Sequence, residues 1–206
     1  MSREHHDNIF SFYFSLPLCY HGDNLVMGGS FMNDPKEAVY TFLQQNNISY
    51  QTCSHPAVYT IEEMMAQNIP HSEAIAKNLF VRDDNKRHYY LIVIRGEKRV
   101  DLKQFAKTAN TRRLGFASEK DLFSILSLTR GSVTPLGILN DSEKKVTVFF
   151  DQSYQHQLIA VHPNENTATV YLNADDLFEL IKAHGNPIFW LPMDWSSPAD
   201  LPPQAE

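Results

Sequence analysis

The sequence has little of what marks several large protein classes. It contains two cysteines among 206 residues, Cys19 and Cys53, and they form neither a paired framework nor a metal-type spacing. It also has no run of about eighteen apolar residues, the length that a membrane-spanning helix needs. These absences predict a cytoplasmic protein in a reducing compartment, without structural disulfides and without a membrane partner.

Motifs of several common enzyme classes are missing as well. The chain has no GxGxxG, P-loop, HExxH or GxSxG sequence, which removes the commonest nucleotide-binding, metalloprotease and hydrolase interpretations. Its nine histidines show no ligand spacing. We therefore expect neither a metal nor a cofactor.

Charge is distributed unevenly along the chain. The formal net charge is −6, yet residues 77–113 contain eleven Lys and Arg against four Asp and Glu, a balance of +7 that leaves −13 for the remainder. The overall sign argues against non-specific nucleic-acid binding and predicts no DNA partner, whereas the basic segment suits a specific anionic partner. A solvated charged surface is the alternative interpretation.

Composition divides the chain into three parts. Residues 1–31 combine scattered aromatics with a Gly, Asn and Asp loop signal and are predicted to be an N-terminal extension of unknown role. Residues 32–194 have the periodic patterns of one globular domain. Residues 195–206 form a proline-rich segment that is predicted to be a flexible tail.

Periodicity and capping residues predict interleaved helices and strands. Helices are expected over 35–47, 60–68, 71–78, 101–110, 118–127 and 173–185. Strands are expected over 48–55, 88–96, 144–152, 157–164 and 168–173. Several successive strands are close enough in sequence to pair antiparallel, so the fold class is predicted to be α/β of the mixed α+β type rather than a doubly wound parallel sheet. Lys77 and Asn78 would lie at a helix–strand junction.

Three loop segments combine glycine, proline and small polar residues. They are HPAVYT at 55–60, GSVTPLGILND at 131–141 and VHPNENTAT at 161–169. Small side chains and exposed backbone amides suit a narrow pocket where backbone meets ligand. Taken singly, each segment is equally well explained as an ordinary turn.

Taken together, the segments resemble one family. HPAVYTIEE, AKNLFVRD, YYLIVIRGEKRVDLKQFA, GSVTPLGILND, VFFD and HPNENTAT, in this order, are similar to the YbaK / prolyl-tRNA synthetase-associated editing domains, and most of all to the free-standing PrdX-like branch. The resemblance covers about residues 34–192. It implies a single YbaK-like domain whose mixed, barrel-like sheet is flanked by helices.

The resemblance also implies a function and a site. It implies a trans-editing deacylase that hydrolyses mischarged tRNA, typically alanine on the tRNA for proline, with Lys77 as the catalytic-site lysine. The substrate-binding residues would be Thr60, Asn78, Gly131, Ser132, Val133, Thr134, Pro135 and His162. The partner would be the aminoacylated 3′ end of tRNA, with prolyl-tRNA synthetase or an elongation factor as transient partners.

The resemblance also suggests how such a site would work. No Ser-His-Asp set, metal set or Cys-His pair occurs among the matching positions, so little side-chain acid–base catalysis is expected. Backbone amides near Gly131 and the charge of Lys77 would stabilise the developing oxyanion, and His162 would act as a wall and hydrogen-bond donor. Two alternatives stay open: the same fold editing serine or cysteine, and a non-catalytic module that binds tRNA or protein. Lys77 could equally be an ordinary surface lysine with a buried stem.

Overall fold

The computed structural model describes residues 19–21, 34–67 and 69–195. The α-helices in these ranges are α1 (Pro35–Gln45), α2 (Ile61–Ala66), α3 (Leu102–Thr108), α4 (Glu119–Leu126) and α5 (Ala174–His184). The strands are β1 (Cys19–His21), β2 (Tyr50–Ser54), β3 (Ala76–Asp83), β4 (Tyr89–Arg95), β5 (Leu114–Phe116), β6 (Val146–Asp151), β7 (Leu158–Val161), β8 (Ala168–Asn173) and β9 (Ile188–Leu191). Short 3-10 helices occupy Ser72–Ala74, Pro135–Asn140 and Gln152–Tyr154.

The predicted helix starts are confirmed by their capping contacts. Asp34 accepts a hydrogen bond from the Lys36 amide (3.1 Å), with proline at the first helical position of α1. Ser118 and Asp121 form a reciprocal capping box at α4. At the other end of the domain, α5 stops at Gly185, whose φ of +100° is the left-handed conformation that glycine adopts readily.

The strands form two sheets. The four-stranded sheet has the order β1-β2-β8-β7 and is antiparallel throughout. The five-stranded sheet has the order β5-β3-β4-β6-β9, with antiparallel pairs around β3 and parallel pairs on both sides of β6. A parallel bridge between Ile75 and Ala160 joins the two sheets just before β3 begins.

The main core is formed by residues of both sheets and of helices α1, α4 and α5. Leu43, Leu122 and Leu177 from these helices belong to the same buried cluster as Leu91 and Val148 of the central strands. A smaller apolar cluster fills the space behind the junction of the two sheets and includes Cys53, Met64, Ile75 and Tyr171. The start of β3 lies between the main core and this smaller cluster, and its burial by both fixes its position at the junction.

The mixed α+β class is confirmed, and two local expectations need correction. The strands make two bridged sheets rather than one barrel-like sheet. The predicted helix over 71–78 is wrong: a single 3-10 turn ends at Ala74, and Lys77 and Asn78 lie inside β3, where they pair with Ile94 and Val93. Long-range pairing with β4 outweighs the helical preference of a short Ala-rich stretch.

The predicted extension and tail fall mostly outside the described residues. The exceptions are Cys19–His21, which form β1 at the edge of the four-stranded sheet, and Trp195, whose ring packs edge-on against Phe105 with centroids 5.9 Å apart. Residue 195 thus belongs to the packed domain rather than to a flexible tail. No helix among the described residues is long and apolar enough to cross a membrane.

Candidate active site

A cavity of about 220 Å³ opens at the junction of the two sheets. Its wall combines the start of β3, the end of β7, the segment that leads into α2 and the loop before the second 3-10 helix. The lining residues are Val58, Tyr59, Thr60, Met64, Ile75, Ala76, Lys77, Asn78, Gly131, Val133, Ala160, Val161, His162 and Thr169. Lys77 is the one lysine or arginine in this set, and the set contains no carboxylate.

The start of β3 is held from behind by a buried tyrosine. The Tyr154 hydroxyl lies 2.9 Å from the carbonyl oxygen of Ile75 and 3.2 Å from that of Ala74, so it donates to the chain just before Lys77. Burial raises the pKa of this hydroxyl, which keeps it protonated as a donor. This contact and the Ile75–Ala160 bridge set the position of Lys77 and Asn78 along the cavity wall.

Lys77 is partly buried, and its ammonium group donates one hydrogen bond to the described residues. The Nζ atom donates to the backbone carbonyl of Lys98 over 2.7 Å. Because an ammonium carries three N–H groups, two remain for a ligand. Lys77 is therefore oriented by the protein and still able to bind an anion.

The carbonyl that holds Lys77 belongs to a residue fixed by two carboxylates. Lys98 Nζ lies 2.8 Å from the buried Asp151 and 2.7 Å from Asp194. Burial by itself would lower the pKa of Lys98, but the hydrogen bonds to Asp151 and Asp194 outweigh it and raise this pKa. The ion pairs anchor the segment after β4 against β6 and the C-terminal end of the domain.

One of the two polar groups of the Asn78 side-chain amide is hydrogen-bonded within the protein. Its Nδ2 group donates to the carbonyl oxygen of Val133 over 3.1 Å, which ties β3 to the glycine-containing loop. Its Oδ1 atom is buried, and no described residue donates a hydrogen bond to it. Because a carbonyl oxygen can only accept, the contact with Val133 settles which end of the amide is the nitrogen.

His162 is hydrogen-bonded to the protein through one of its two ring nitrogens. Its Nδ1 atom lies 3.0 Å from the carbonyl oxygen of Ala168, so this nitrogen carries the proton. Burial lowers the pKa of His162, and the neighbouring His55 lowers it further, while the bond to Ala168 acts in the opposite direction. The neutral ring then has its lone pair on Nε2, to which no described residue donates.

A second histidine stands beside it with both nitrogens engaged. His55 and His162 have ring centroids 6.0 Å apart. His55 Nδ1 donates to the Pro56 carbonyl oxygen over 2.8 Å, and its Nε2 lies 2.9 Å from the Thr169 hydroxyl. That hydroxyl is also 3.9 Å from the Met64 sulfur. This part of the wall is internally satisfied.

The loop at 131–135 contributes two of its five residues to the cavity. Gly131 has a φ of +88°, and a Cβ added there would lie 2.8 Å from the ring of Tyr59, so glycine permits both the turn and the close approach. Val133 also lines the cavity. The Ser132 hydroxyl bonds to Thr129, Thr134 caps the following 3-10 helix and Pro135 is buried, so these three lie behind the wall.

Thr60 lines the cavity from the other side as the N-cap of α2. Its hydroxyl accepts from the Glu63 amide over 3.1 Å. The Glu63 carboxylate in turn accepts from the amide of Tyr59 over 2.7 Å, one residue away from the position of a regular capping box. This contact fixes the backbone of Tyr59, whose side chain is 67% exposed at the edge of the cavity.

The structure thus brings together six of the nine expected site residues. They are Thr60, Lys77, Asn78, Gly131, Val133 and His162. Sequence reasoning missed Tyr59 and Thr169, although Tyr59 lies inside the HPAVYT segment and Thr169 ends VHPNENTAT. An aromatic residue inside a proline-containing loop and a threonine two residues beyond a turn are weak signals, because their position depends on packing between distant segments.

The side chains available at the wall determine which ligands it can bind. Within the described part of the chain, no group of three or more His, Cys, Asp or Glu residues could hold a metal ion. The lining combines apolar side chains, one cation, and neutral hydrogen-bonding groups. Such a site can bind an anionic or ester-containing ligand by fixed dipoles and one positive charge.

Comparison with known proteins decides the family. The model of the aminoacyl-tRNA editing domain matches residues 55–180, which is more than half of the chain. This chain belongs to that family. The match confirms the resemblance inferred from the motifs and the predicted activity class, a hydrolase of aminoacyl-tRNA with tRNA as substrate.

Curated relatives agree with this assignment. The chain is 43% identical over 154 residues to the prolyl-tRNA editing protein ProX of Acetoanaerobium sticklandii, a match that covers 74% of this chain and 94% of the relative. It is 32% identical over 152 residues to the prolyl-tRNA synthetase associated domain-containing protein 1 of Danio rerio, covering 72% and 82%. The expected likeness to a free-standing editing protein is confirmed.

A solved structure shares the fold. A crystal structure described as that of a candidate trans-editing enzyme for prolyl-tRNA synthetase superposes with a TM-score of 0.58 at 16% identity, covering 78% of this chain and 98% of that one. At this identity the likeness concerns the fold alone. It supports the arrangement of two sheets around which the cavity is built.

Proposed function

We propose that the protein is a trans-editing deacylase that removes alanine mischarged onto the tRNA for proline. The observation that carries this proposal is the size and chemistry of the cavity. Its volume is about 220 Å³, and half of its lining residues have small or medium-sized apolar side chains, including Ala76, Val133 and Ala160. A small apolar side chain such as the methyl group of alanine suits this lining better than a large or charged one.

Such an activity compensates for the limited ability of a synthetase to reject a smaller amino acid. A binding pocket that accepts a larger amino acid rejects a smaller one weakly, because a missing methylene changes the binding free energy by only about 1–3 kcal/mol. A second site that admits only the smaller residue corrects the error. Prolyl-tRNA editing is the activity named for the relative from Acetoanaerobium sticklandii, and alanine is smaller than proline.

In the proposed mechanism Lys77 meets the negatively charged end of the tRNA. Its two unused N–H groups bind a phosphate oxygen next to the terminal ribose, while the bond to the Lys98 carbonyl holds the ammonium in place. The carbonyl carbon of the ester lies near Gly131, where backbone amide groups stabilise the oxyanion. The terminal ribose hydroxyl of the tRNA assists the attacking water, because the described lining residues offer no carboxylate to do so.

The basic segment supplies a surface for the rest of the tRNA end. Several cations between residues 77 and 113 pair within the domain, as in Arg112 with Asp84. Arg99, Lys103, Lys107 and Arg113 are exposed and form no ion pair with the described residues. Such side chains attract the phosphates of a single-stranded 3′ end and its stem.

The proposed partners follow from this activity. The substrate is tRNA with an aminoacylated 3′ end, most specifically that for proline, and no DNA is expected. Prolyl-tRNA synthetase and an elongation factor are the proteins that handle the same charged tRNA and would be met transiently. We accordingly expect the protein in the cytoplasm.

A deacylation assay over a panel of mischarged tRNAs tests the proposal. Alanine, serine, cysteine and proline are each charged onto the tRNA for proline, and hydrolysis is measured with the protein and with Lys77→Ala as the matched control. The expected result is fastest hydrolysis of the alanyl ester and loss of most activity in the control. Preference for serine or cysteine would show a different editing specificity. Binding without hydrolysis of any ester would show a non-catalytic module.

A further inference from the structure

The half-satisfied amide of Asn78 needs a donor that the described residues do not provide. Its Nδ2 group is bonded to Val133, but its Oδ1 atom is buried without a hydrogen bond from any of them. A buried acceptor that stays unpaired has lost the hydrogen bonds that water would give it, which destabilises the folded protein. Structures rarely retain such a group unless a ligand or an ordered water completes it.

The surroundings of Asn78 favour a cationic or strongly polar donor. Asn78 and His162 line the same cavity, and the neutral ring of His162 adds a second acceptor at Nε2. None of the described lining residues carries a carboxylate, so a positively charged ligand group would have to be bound there by neutral acceptors. The ammonium of Lys77 is already held by the carbonyl oxygen of Lys98.

We propose that Asn78 Oδ1 binds the α-amino group of the aminoacyl ester, with His162 Nε2 as a second acceptor. The inference rests on the proposed deacylase function and names the part of the substrate that the cavity recognises. An aminoacyl ester carries one group that is rich in N–H donors, and that group is adjacent to the scissile carbonyl. A charge-assisted hydrogen bond to a buried acceptor is about twice as strong as a neutral one.

This contact would make Asn78 a specificity-determining residue. Because its Nδ2 group is tied to Val133, the Oδ1 atom is held at a fixed distance from the loop that contains Gly131. Binding the amino group there sets the position of the ester carbonyl relative to the loop. Esters with a blocked or missing amino group would leave the acceptor unpaired and would be poor substrates.

The first experiment uses the wild-type protein and two esters of one tRNA. Alanyl-tRNA and propionyl-tRNA, which lacks the amino group, are hydrolysed with and without the protein, and each rate is divided by the uncatalysed rate of the same ester. The expected result is an alanyl preference of about tenfold or more after this correction. An equal acceleration of both esters would overturn the inference while leaving the deacylase function intact.

The second experiment separates the acceptor from the tether to Val133. Asn78→Leu and Asn78→Asp both lose the amide N–H that bonds to the Val133 carbonyl, but only Asn78→Asp keeps an oxygen at the site. We expect Asn78→Leu to lose the alanyl preference and Asn78→Asp to retain it, whatever happens to the absolute rates. Thermal unfolding of both variants identifies any loss of fold, and the wild-type comparison decides the question if neither variant folds.

The remaining outcomes are also decisive. If Asn78→Leu slows both esters by the same factor, Asn78 orients the attacking water or the loop, and the assignment to the amino group is wrong. If the wild-type protein accelerates neither ester, the proposed function fails and this inference fails with it. N-acetyl-alanyl-tRNA provides a check from the substrate side, because the wild-type protein should discriminate against it as strongly as against the propionyl ester.

Discussion

His55 and His162 stand side by side, and each donates its Nδ1 proton to a backbone carbonyl. They differ at the other nitrogen. His55 Nε2 is bonded to Thr169, whereas Nε2 of His162 has no partner among the described residues. The same side chain therefore belongs to a closed wall in one case and to an open wall in the other.

The difference extends to the neighbours of each histidine. On the closed wall, by which we mean the lining residues Thr60 and Thr169 together with the neighbouring His55, the polar side-chain atoms are bonded to the protein. On the open wall, which comprises Lys77, Asn78 and His162, each side chain has one bond to a backbone carbonyl and further hydrogen-bonding capacity left over. Substitutions in the closed wall should mainly reduce stability, and those in the open wall should mainly reduce activity.

The largest effect is expected for Lys77. Lys77→Ala removes the cavity's cation, and a hydrogen bond to a charged group is worth about 1.5–3 kcal/mol, so deacylation should fall about 10- to 100-fold. The free energy of unfolding should change little, because the side chain is only partly buried. Lys77→Arg should restore only part of the activity, because a planar guanidinium group does not reproduce the geometry of an ammonium. Near-normal turnover by folded Lys77→Ala would show that this lysine is an ordinary surface residue.

His55→Ala tests the closed wall. The side chain is 8% exposed and bonded at both nitrogens, so its removal should lower the free energy of unfolding by about 2–3 kcal/mol. For a domain of this size that corresponds to a fall in Tm of about 5–10 °C. Thermal denaturation followed by circular dichroism measures the change. A stable but inactive His55→Ala protein would place this histidine in the reaction.

His162→Ala tests whether His162 limits the size of the cavity or acts as a general base. Removing the ring enlarges the cavity, so hydrolysis of alanyl-tRNA should fall moderately while bulkier esters, such as the prolyl ester of the same tRNA, become better substrates. Loss of a general base typically costs about 10²–10⁴-fold for every substrate. The ratio of the two rates, compared with that of the wild-type protein, distinguishes these cases. A uniform collapse would identify His162 as catalytic.

The lowered pKa of His162 should also appear in the pH dependence of stability. Above its ordinary value of 6.5 the ring is neutral in both states, so the full stability is present. Below 6.5 the unfolded chain binds a proton that the folded protein resists, and stability falls as the pH drops towards the lowered folded-state pKa. Urea unfolding between about pH 7 and pH 5 should show this slope in the wild-type protein. His162→Ala should show less of it; an unchanged slope would assign the effect elsewhere.

The smallest effect is expected from deleting residues 1–31. The family match begins at residue 55, and within the deleted segment the structure describes β1, a three-residue strand at a sheet edge. The shortened chain should therefore fold cooperatively and retain its deacylase activity, with a modest loss of stability from the exposed edge of β2. Differential scanning calorimetry and the deacylation assay test this. Insolubility or inactivity would show that the segment packs on the domain or forms an interface.

Local features of the sequence determined much of what was found. Caps such as Asp34 and the Ser118–Asp121 pair act over a few residues, so the helix starts could be predicted from neighbouring positions alone. The sequence motifs are weak one by one, but their order identified the family. Six of the nine expected site residues do line one cavity.

Tertiary structure decided the rest, because the deciding contacts join distant segments. Ala76–Asp83 is a strand because it pairs with Tyr89–Arg95 and is bridged at Ile75 to Ala160, whatever the local helical preference of the stretch before it. Contacts between distant segments also decide which side chains are hydrogen-bonded. Sequence placed His55 and His162 in similar proline-containing turns, and only the position of Thr169 beside one ring makes that histidine part of the framework and leaves the other open to a ligand.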